Sequence, residues 1–204
     1  MKITVFGATG MVGSRIVAEA LRRRHDVTAV THTGTTMDGT NAAEANFTDT
    51  RTVSALANAA DVTVIAIPPD RESDEPVAVN LDAHRRLLDA APSTRLIVVG
   101  GAGSLLVDGT PLRDTPGFPE EFKREAGWGI ELLNIYREAP AGIDWLLVSP
   151  SPMIAPGQAT GKYLVGTDSP VGDAVSAENF AIGILDEIDK HAHRRMRITL
   201  ADAS

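Results

Sequence analysis

Short apolar segments alternate along the chain with longer amphipathic segments. The apolar segments are rich in Val, Ile and Leu, as buried strands are, and the predicted strands are Ile3–Phe6, Val27–Val30, Asn46–Phe47, Val62–Ile67, Arg95–Val99, Asp144–Val148 and Arg197–Leu200. The amphipathic segments repeat apolar residues at helical spacing, and the predicted helices are Gly10–Arg23, Thr50–Ala59, Pro76–Ala91, Pro119–Arg137 and Ser176–Lys190. A break is expected in the fourth helix, where Trp128 stands between two glycines.

Strands that alternate with helices indicate a doubly wound α/β fold, in which a mainly parallel sheet has helices on both faces. No repeat or linker divides the chain, so residues 1–204 are predicted to form a single domain. Residues 101–119 and 149–172 do not fit the alternation, because both are long, rich in Gly and Pro, and follow a predicted strand. Ligands bind at this edge of open parallel sheets, so we expect substrate-side loops here; the alternative is a pair of surface connections.

Composition narrows the class of protein. The chain has 204 residues, a net charge of −8 and no cysteine. Disulfides and thiolate metal sites are therefore excluded, and the acidic balance argues against coating nucleic acid or a membrane surface. No apolar stretch approaches the roughly 18 residues of a membrane span, so a cytoplasmic location is predicted. His191 and His193 lie at a charged helix end, and we interpret them as solvated rather than as metal ligands.

Three glycines, Gly7, Gly10 and Gly13, follow the first predicted strand and open the first predicted helix. Such a turn lets the backbone approach a diphosphate, and the helix N-terminus presents free amides and the positive end of its dipole. Gly7 would allow the tight turn, Gly10 would leave room for the phosphates, and Gly13 would let the helix pack closely on the sheet. The spacing Gly-x-x-Gly-x-x-Gly in this context predicts the dinucleotide site of a Rossmann-type domain.

The residues after the second strand bear on which dinucleotide binds. NAD sites usually place an acid there for the ribose 2′-hydroxyl, whereas residues 31–36 read THTGTT. Without that acid a 2′-phosphate would not be repelled, and His32 and Arg15 could bind it. The sequence therefore favours NADPH over NADH as the cofactor. The alternative for Arg15 is a solvated helix position.

Longer motifs carry a family resemblance over essentially the whole chain. The segment FGATGMVGSR (6–15) resembles the opening of atypical short-chain dehydrogenase/reductases of the NmrA-like and biliverdin-reductase-B-like type. Four further segments resemble a bacterial group named NADH-flavin reductases: LIVVGGAGSLLVDG (96–109), DTPGFPEEFKREA (114–126), DWLLVSPSPMIAPGQATGKYLVGTD (144–168) and SAENFAIGILDEI (176–188).

The resemblance implies a set of cofactor contacts. The diphosphate would be wrapped by Gly7, Ala8, Thr9, Gly10, Met11, Val12 and Gly13. The adenosine end would lie against Thr31, His32, Asn46, Phe47, Ala66, Ile67 and Pro68. The nicotinamide end would face Gly100, Gly101 and Ala102.

The proton donor of the superfamily is missing. Classical members carry Tyr-x-x-x-Lys, but neither Tyr136 nor Tyr163 has a lysine four positions later. Ser104 is the nearest counterpart of the family's catalytic serine, with a loop-capping hydroxyl as the alternative. A flavin or quinone spreads the charge of an arriving hydride over its own π-system and needs little help from a protein acid. The sequence therefore predicts an NAD(P)H-dependent reductase of flat conjugated acceptors, with flavin as a substrate and not as a bound group.

An apolar acceptor site is expected under the two long loops, lined by Leu105, Phe118, Trp128, Ser149, Pro150, Ser151, Pro152 and Met153. Core packing is the alternative for Trp128 and Met153. Two other functions stay open: an NmrA-like regulator that binds NAD(P) without catalysis, and a reductase or epimerase of a specific metabolite. The latter would need Ser104, Ser149 or Ser151 to position a water as acid. The expected partner is a small-molecule acceptor, and the chain is expected to be a monomer or a homodimer.

Overall fold

A computed structural model describes residues 1–69 and 77–203 of the chain. The strands in the described residues are β1 (Lys2–Phe6), β2 (Asp26–Thr31), β3 (Asn41–Glu44), β4 (Val62–Ile65), β5 (Arg95–Val99), β6 (Leu106–Val107), β7 (Thr110–Pro111), β8 (Trp145–Pro150), β9 (Met153–Ala155), β10 (Tyr163–Gly166), β11 (Ala174–Ser176) and β12 (Met196–Asp202). The helices are α1 (Met11–Arg22), α2 (Thr50–Asn58), α3 (Val77–Asp89), α4 (Lys123–Arg137) and α5 (Ala177–Lys190). Short 3-10 turns occupy Ala102–Ser104, Leu112–Asp114 and Glu120–Phe122.

Eight of these strands form one sheet in the order β10-β12-β8-β5-β4-β1-β2-β3. Neighbouring strands are parallel, except that β10 runs antiparallel to β12. From β1 the chain first adds β2 and β3 on one side, and then crosses over to add β4, β5, β8 and β12 on the other. The strand order therefore reverses at β1, which makes the carboxyl end of β1 the topological switch point of the sheet.

Two helical layers cover the sheet. Helices α1 and α5 pack together on one face, over a core that includes Ile16 and Ile184. Helices α2, α3 and α4 cover the other face, over a second core that includes Leu87 and Leu132. Layers on both faces of a mainly parallel sheet confirm the doubly wound, Rossmann-type α/β fold. In the parts of the chain that the structure describes, no helix combines the length and apolar character needed to cross a bilayer.

The third strand lies at a different place from its prediction. It occupies Asn41–Glu44, in parallel register with β2, and not Asn46–Phe47. This edge strand is held by backbone pairing, and its alanines give no apolar signal that a sequence pattern would detect. Phe47 turns into the core instead, where its ring centroid lies 5.8 Å from that of Phe6 and 4.8 Å from that of His84.

The two long segments contain more regular structure than predicted. Segment 149–172 includes β9 and β10, and β10 forms an antiparallel edge of the main sheet. Segment 101–119 includes two 3-10 turns and the hairpin of β6 and β7. The predicted break in the fourth helix is wrong, because α4 runs without interruption through Gly127 and Gly129. Pro76, the expected start of the third helix, lies outside the described residues.

Candidate nucleotide-binding site

The glycine turn follows the carboxyl end of β1 and packs against the chain just beyond the carboxyl end of β4. Gly7 has a φ of +76°, in the left-handed region that favours glycine, and a Cβ on it would lie 2.3 Å from the carbonyl oxygen of Ala66. A Cβ on Gly13 would lie 2.1 Å from the carbonyl oxygen of Gly7. Close backbone approach therefore requires glycine at both positions. Beyond Ala66 the chain continues through the half-buried Ile67 and the exposed Pro68.

The N-terminus of α1 opens from this turn towards solvent. The amide of Gly10 donates to the carbonyl oxygen of Gly7 at 3.0 Å, and Gly10 caps the helix without any side chain. Thr9, Gly10 and Met11 are exposed, so the first amides of α1 are accessible. Accessible amides at the positive end of a helix dipole, at the switch point of the sheet, fit a diphosphate. The buried Ala8 and the half-buried Val12 complete the turn.

The adenosine side, as the sequence predicts it, begins at the end of β2. Thr31 is buried, and its Oγ1 accepts a hydrogen bond from the amide of Thr35 at 2.8 Å, which shapes the loop. His32 and Asn46 are exposed. The Oδ1 of Asn46 accepts from the amide of Thr48 at 2.9 Å and so fixes the turn after β3. The exposed imidazole of His32 remains the candidate side chain here for contact with a ribose substituent.

Two charged residues, Glu44 and Arg15, lie near the positions on which the predicted cofactor preference was based. Glu44, which is in register with Thr31 at the end of β3, places its Oε2 3.5 Å from where a Cβ on Gly34 would lie. A search of the residues directly after β2 misses this acid, since it arrives from the neighbouring strand. Arg15 is directed to α5, where its Nε donates to Glu178 Oε1 at 2.9 Å. The geometry therefore does not support the prediction that Arg15 binds a 2′-phosphate, because its guanidinium is already ion-paired.

The predicted nicotinamide side begins where the chain leaves β5. A Cβ on Gly100 would lie 2.5 Å from Leu147 Cδ2 and 3.3 Å from Ser149 Oγ, so this position has no room for a side chain. A Cβ on Gly101 would have no atom within 4 Å, so the backbone there borders open space. The half-buried Ala102 then begins a 3-10 turn. A bare backbone beside open space is compatible with the predicted contact to the nicotinamide.

A buried arginine ties the turn after β5 to the loop after β10. Arg197 of β12 donates from Nη1 to the carbonyl oxygen of Ser104 at 2.7 Å and to its Oγ at 3.0 Å. From Nη2 it donates to the carbonyl oxygen of Asp168 at 3.0 Å and to its carboxylate. Burial lowers the pKa of Arg197, while its bond to Asp168 opposes that shift. The hydroxyl of Ser104 also donates to the carbonyl oxygen of Gly101 at 3.1 Å, so Ser104 already has a structural role, and its catalytic role stays a prediction.

We expect Arg197→Met to lower the free energy of unfolding by about 2–3 kcal/mol, because it removes the donor to the buried carbonyl oxygen of Ser104 and one of the donors to the carbonyl and carboxylate oxygens of Asp168. Urea denaturation measures the change. Arg137→Gln is the matched control, since Arg137 reaches the same Asp168 carboxylate at 3.1 Å from a half-exposed position and should change stability by less than about 1 kcal/mol. Equal losses in the two variants would contradict the assigned role of Arg197.

The residues predicted to line an acceptor site differ widely in their exposure to solvent. Five of them are buried, namely Leu105, Trp128, Ser149, Pro150 and Ser151, whereas Phe118 is half-buried and Pro152 and Met153 are exposed. Trp128 is 4% exposed, and its Nε1 donates to Asn80 Oδ1 at 2.8 Å. It therefore packs in the core, which was the alternative for it. Core packing is wrong for Met153, which is 68% exposed.

The three serines considered for positioning a water differ in their hydrogen bonds. Ser104 is held by Arg197, and the Oγ of Ser151 donates to the carbonyl oxygen of Leu200 at 2.8 Å. The buried Oγ of Ser149 has no hydrogen-bond partner among the residues that the structure describes. Ser149 is thus the serine beside the predicted nicotinamide position whose hydroxyl keeps its full bonding capacity.

An open parallel sheet with a glycine turn at its switch point defines the class of dinucleotide-binding α/β domains. A family model described as NAD(P)H-binding matches residues 7–191. The chain therefore belongs to this NAD(P)H-binding family, and its cofactor is a nicotinamide nucleotide. The family also agrees with the resemblance to NAD(P)H-binding reductases drawn from the motifs.

Several proteins are similar over nearly the whole chain. The “Uncharacterized protein YwnB” of Bacillus subtilis (strain 168) is 33% identical over an alignment of 219 residues, gaps included, that covers 98% of each chain. A crystal structure of a “putative exported protein” from Burkholderia pseudomallei has 34% identity and a TM-score of 0.87, covering 98% of this chain and 99% of that chain. A “putative NADH-flavin reductase” from Streptococcus pneumoniae has 30% identity and a TM-score of 0.85, and all of both chains is covered.

Proposed function

We propose that the protein is an NAD(P)H-dependent oxidoreductase that passes hydride to a flat conjugated acceptor such as a flavin or a quinone. The observation that carries the proposal is the glycine turn. A Cβ on Gly7 or on Gly13 would lie less than 2.5 Å from a backbone carbonyl oxygen, so only glycine fits at these positions. The turn that they form leads into the N-terminus of α1 at the switch point of the sheet. The name of the Streptococcus pneumoniae relative agrees with this choice of reaction.

The positions of the two tyrosines support a reaction without a protein acid. The chain has two tyrosines. Tyr136 is buried, with its hydroxyl 2.9 Å from His84 Nδ1, and burial raises its pKa. Tyr163 donates its hydroxyl to Asp186 at 2.7 Å, and burial together with that carboxylate raises its pKa. Both phenols already have a hydrogen-bonding partner and a raised pKa, which favours an acceptor that does not need a protein acid.

In this reaction the chain binds and orients, and it supplies no covalent chemistry. A bound nicotinamide nucleotide supplies the hydride, and the two-electron reduction of a flavin or quinone is completed by a proton from water. The first amides of α1 would hold the diphosphate, and the backbone at Gly101 would border the reacting ring. Arg197 would keep that backbone in place through Ser104 and so would help to orient the hydride donor towards the acceptor.

The preference between NADPH and NADH would depend on His32 and Glu44. The exposed His32 could donate a hydrogen bond to a 2′-phosphate, whereas the carboxylate of Glu44 near Gly34 would repel one. We expect Glu44→Gln to lower KM for NADPH about threefold to tenfold and to change KM for NADH by less than twofold. Initial rates with both nucleotides measure this. Equal changes in the two KM values would show that Glu44 does not sense the 2′-position.

The experiment that tests the proposed function combines binding and turnover. Calorimetric titration with NADPH and NADH measures binding, and loss of reduced-nucleotide absorbance with a panel of flavins and quinones measures hydride transfer. We expect binding of at least one nucleotide and turnover with at least one acceptor. Nucleotide binding without turnover across the panel would contradict the reductase and would indicate the nucleotide-sensing regulator instead.

A further inference from the structure

Strand β10 forms one end of the eight-stranded sheet. In the part of the chain that the structure describes, it pairs with β12 alone, so its outer edge is free to accept a further strand. The strand at the other end, β3, reads Asn-Ala-Ala-Glu and carries a charge, which discourages such pairing. β10 reads Tyr-Leu-Val-Gly, with neither a charge nor a proline. Its edge therefore lacks the features that keep an exposed strand from pairing.

The ladder between β10 and β12 shows which backbone groups face this edge. The amide of Ala203 donates to the carbonyl oxygen of Lys162 at 3.2 Å, so these two residues, which stand opposite each other at the start of the ladder, form a hydrogen-bonded pair. Hydrogen-bonded pairs alternate along an antiparallel ladder, so Leu164 also directs its backbone groups to β12. Tyr163 and Val165 therefore direct their N–H and C=O groups outwards.

The other side of β12 gives the same assignment. Leu200 stands opposite Val165 in the ladder. The carbonyl oxygen of Leu200 accepts from the amide of Ser151 at 3.0 Å, on the side of β8, and is therefore turned away from β10. The N–H and C=O groups of Val165 consequently face the free edge.

The side chains at this edge are apolar. Leu164 and Val165 are each 46% exposed. Neighbouring residues of a strand point to opposite faces of the sheet, so the exposure of both belongs to the free edge and not to one uncovered face. A strand laid against β10 would cover both side chains.

We propose that β10 pairs with β10 of a second copy of the chain, antiparallel and centred on Leu164, and that the protein is a homodimer with one continuous sheet. In this register Tyr163 of each copy forms a hydrogen-bonded pair with Val165 of the other, so every outward-facing backbone group of the two residues has a partner. Leu164 lies opposite Leu164 of the second copy, in the type of pair whose side chains approach most closely.

The charges that flank β10 fit the same occupant. Lys162, which precedes the strand, is exposed, and the side chain of Asp168, which follows it, is 46% exposed. Antiparallel pairing brings the beginning of each strand beside the end of the other. Each Lys162 then lies on the side of Asp168 of the second copy, so opposite charges meet at both ends of the interface and favour a second copy over an unrelated strand.

The experiment measures the mass of the full-length protein in solution by sedimentation equilibrium over a range of concentrations. A four-residue strand is short, so we expect a reversible dimer of the weak class. Such interfaces bury less than roughly 1,200 Å², and the mass should approach twice that of one chain by about 500 µM. A single-chain mass throughout this range would overturn the proposal.

Charged variants at Leu164 test the register. Leu164→Lys places two ammonium groups opposite each other, and Leu164→Glu does the same with two carboxylates, so each variant should weaken dimerisation about a hundredfold. An equimolar mixture of the two brings opposite charges together and should restore the dimer. Ala42→Lys, at an exposed position of β3 at the other end of the sheet, is the matched control and should change nothing.

A backbone variant tests the hydrogen bonds. Val165→Pro removes an outward N–H and leaves the ladder with β12 intact, so the chain should stay folded in urea denaturation and become monomeric. Amide exchange gives an independent measurement. The amides of Tyr163 and Val165 should exchange at least tenfold more slowly in the unmodified dimer than in Leu164→Lys, whereas the amide of Gly166, which faces β12, should not differ.

The outcomes concern the assembly alone. A dimer that survives both Leu164→Lys and Val165→Pro would overturn the proposal, because the copies would then meet at another surface. A mixture of Leu164→Lys and Leu164→Glu that stays monomeric would overturn the pairing about Leu164. Neither the mass nor the amide exchange depends on nucleotide binding or hydride transfer, so a failure here is distinguishable from a failure of the proposed function.

Discussion

Gly13→Val is expected to destabilise the folded chain by more than about 4 kcal/mol and to abolish nucleotide binding. A Cβ at this position would lie 2.1 Å from the carbonyl oxygen of Gly7 and 2.9 Å from its carbonyl carbon. Both neighbours are backbone atoms of a turn that is itself fixed by the φ of +76° at Gly7 and its contact with Ala66. The clash therefore cannot be relieved by a side-chain rotation, and α1 would have to move away from the sheet.

Gly10→Ala separates nucleotide binding from folding. A Cβ on Gly10 would meet only the carbonyl oxygen of Gly7, at 3.3 Å, and the residue is exposed, so the fold should be kept. The methyl group would stand at the opening of the α1 N-terminus, and we expect affinity for NADPH to fall at least tenfold. Gly142→Ala is the control, because its Cβ would meet no atom within 4 Å. Thermal unfolding and calorimetric titration of Gly13→Val, Gly10→Ala and Gly142→Ala provide the measurement. Unchanged affinity in Gly10→Ala would rule out the glycine turn as the diphosphate site.

The parts of the fold that follow local rules could be predicted from the sequence. The apolar run before Gly7 and the spacing of the glycines together specify a strand, a turn and a helix N-terminus, because each residue type acts within its own few neighbours. Helices α1 and α5 follow from apolar periodicity for the same reason. The doubly wound architecture then results from the alternation of such units.

Edge strands and contacts between elements could not be predicted in this way. Strand β3 reads as Asn-Ala-Ala-Glu and is held by pairing with β2, so nothing in its composition marks it. The position of Glu44 beside Gly34, which bears on cofactor preference, follows from that pairing and escapes any reading of β2 alone. The glycines on either side of Trp128 resemble a helix break, but both lie inside the uninterrupted helix α4, where a Cβ would stand at ordinary contact distances of 3.5 Å from Arg113 and 3.7 Å from Gly101.

A row of rings through the core is a further feature that periodicity does not show. The ring of His84 lies between Phe47 and Tyr136, at centroid distances of 4.8 Å and 5.7 Å. His84 looks like an exposed helix position beside two arginines in the sequence, yet it is 1% exposed. Its Nδ1 lies 2.9 Å from the Tyr136 hydroxyl, and its Nε2 has no partner among the described residues. Burial lowers the pKa of His84 to about 3.

The buried His84 is expected to make the protein sensitive to acid. In the unfolded chain its pKa is about 6.5, so between pH 6.5 and about 3 the unfolded state binds a proton that the folded state does not. The contribution of His84 to stability is therefore complete above pH 6.5 and is lost as the pH falls, at roughly 1.4 kcal/mol per pH unit. By pH 3 the accumulated loss from this residue reaches roughly 4–5 kcal/mol.

Urea denaturation at a series of pH values measures the loss, and a variant assigns it. His84→Gln keeps a polar group near Tyr136 but cannot titrate. Between pH 6.5 and 4, the slope of its unfolding free energy against pH should therefore be smaller than that of the unmodified protein by roughly 1.4 kcal/mol per pH unit, which corresponds to one proton. His191→Asn is the matched control, since it removes an exposed imidazole at a left-handed position that asparagine tolerates. Its slope should match that of the unmodified protein. If His84→Gln also kept the original slope, the acid sensitivity would have to come from carboxylates, and His84 would be protonated in the folded state at no cost.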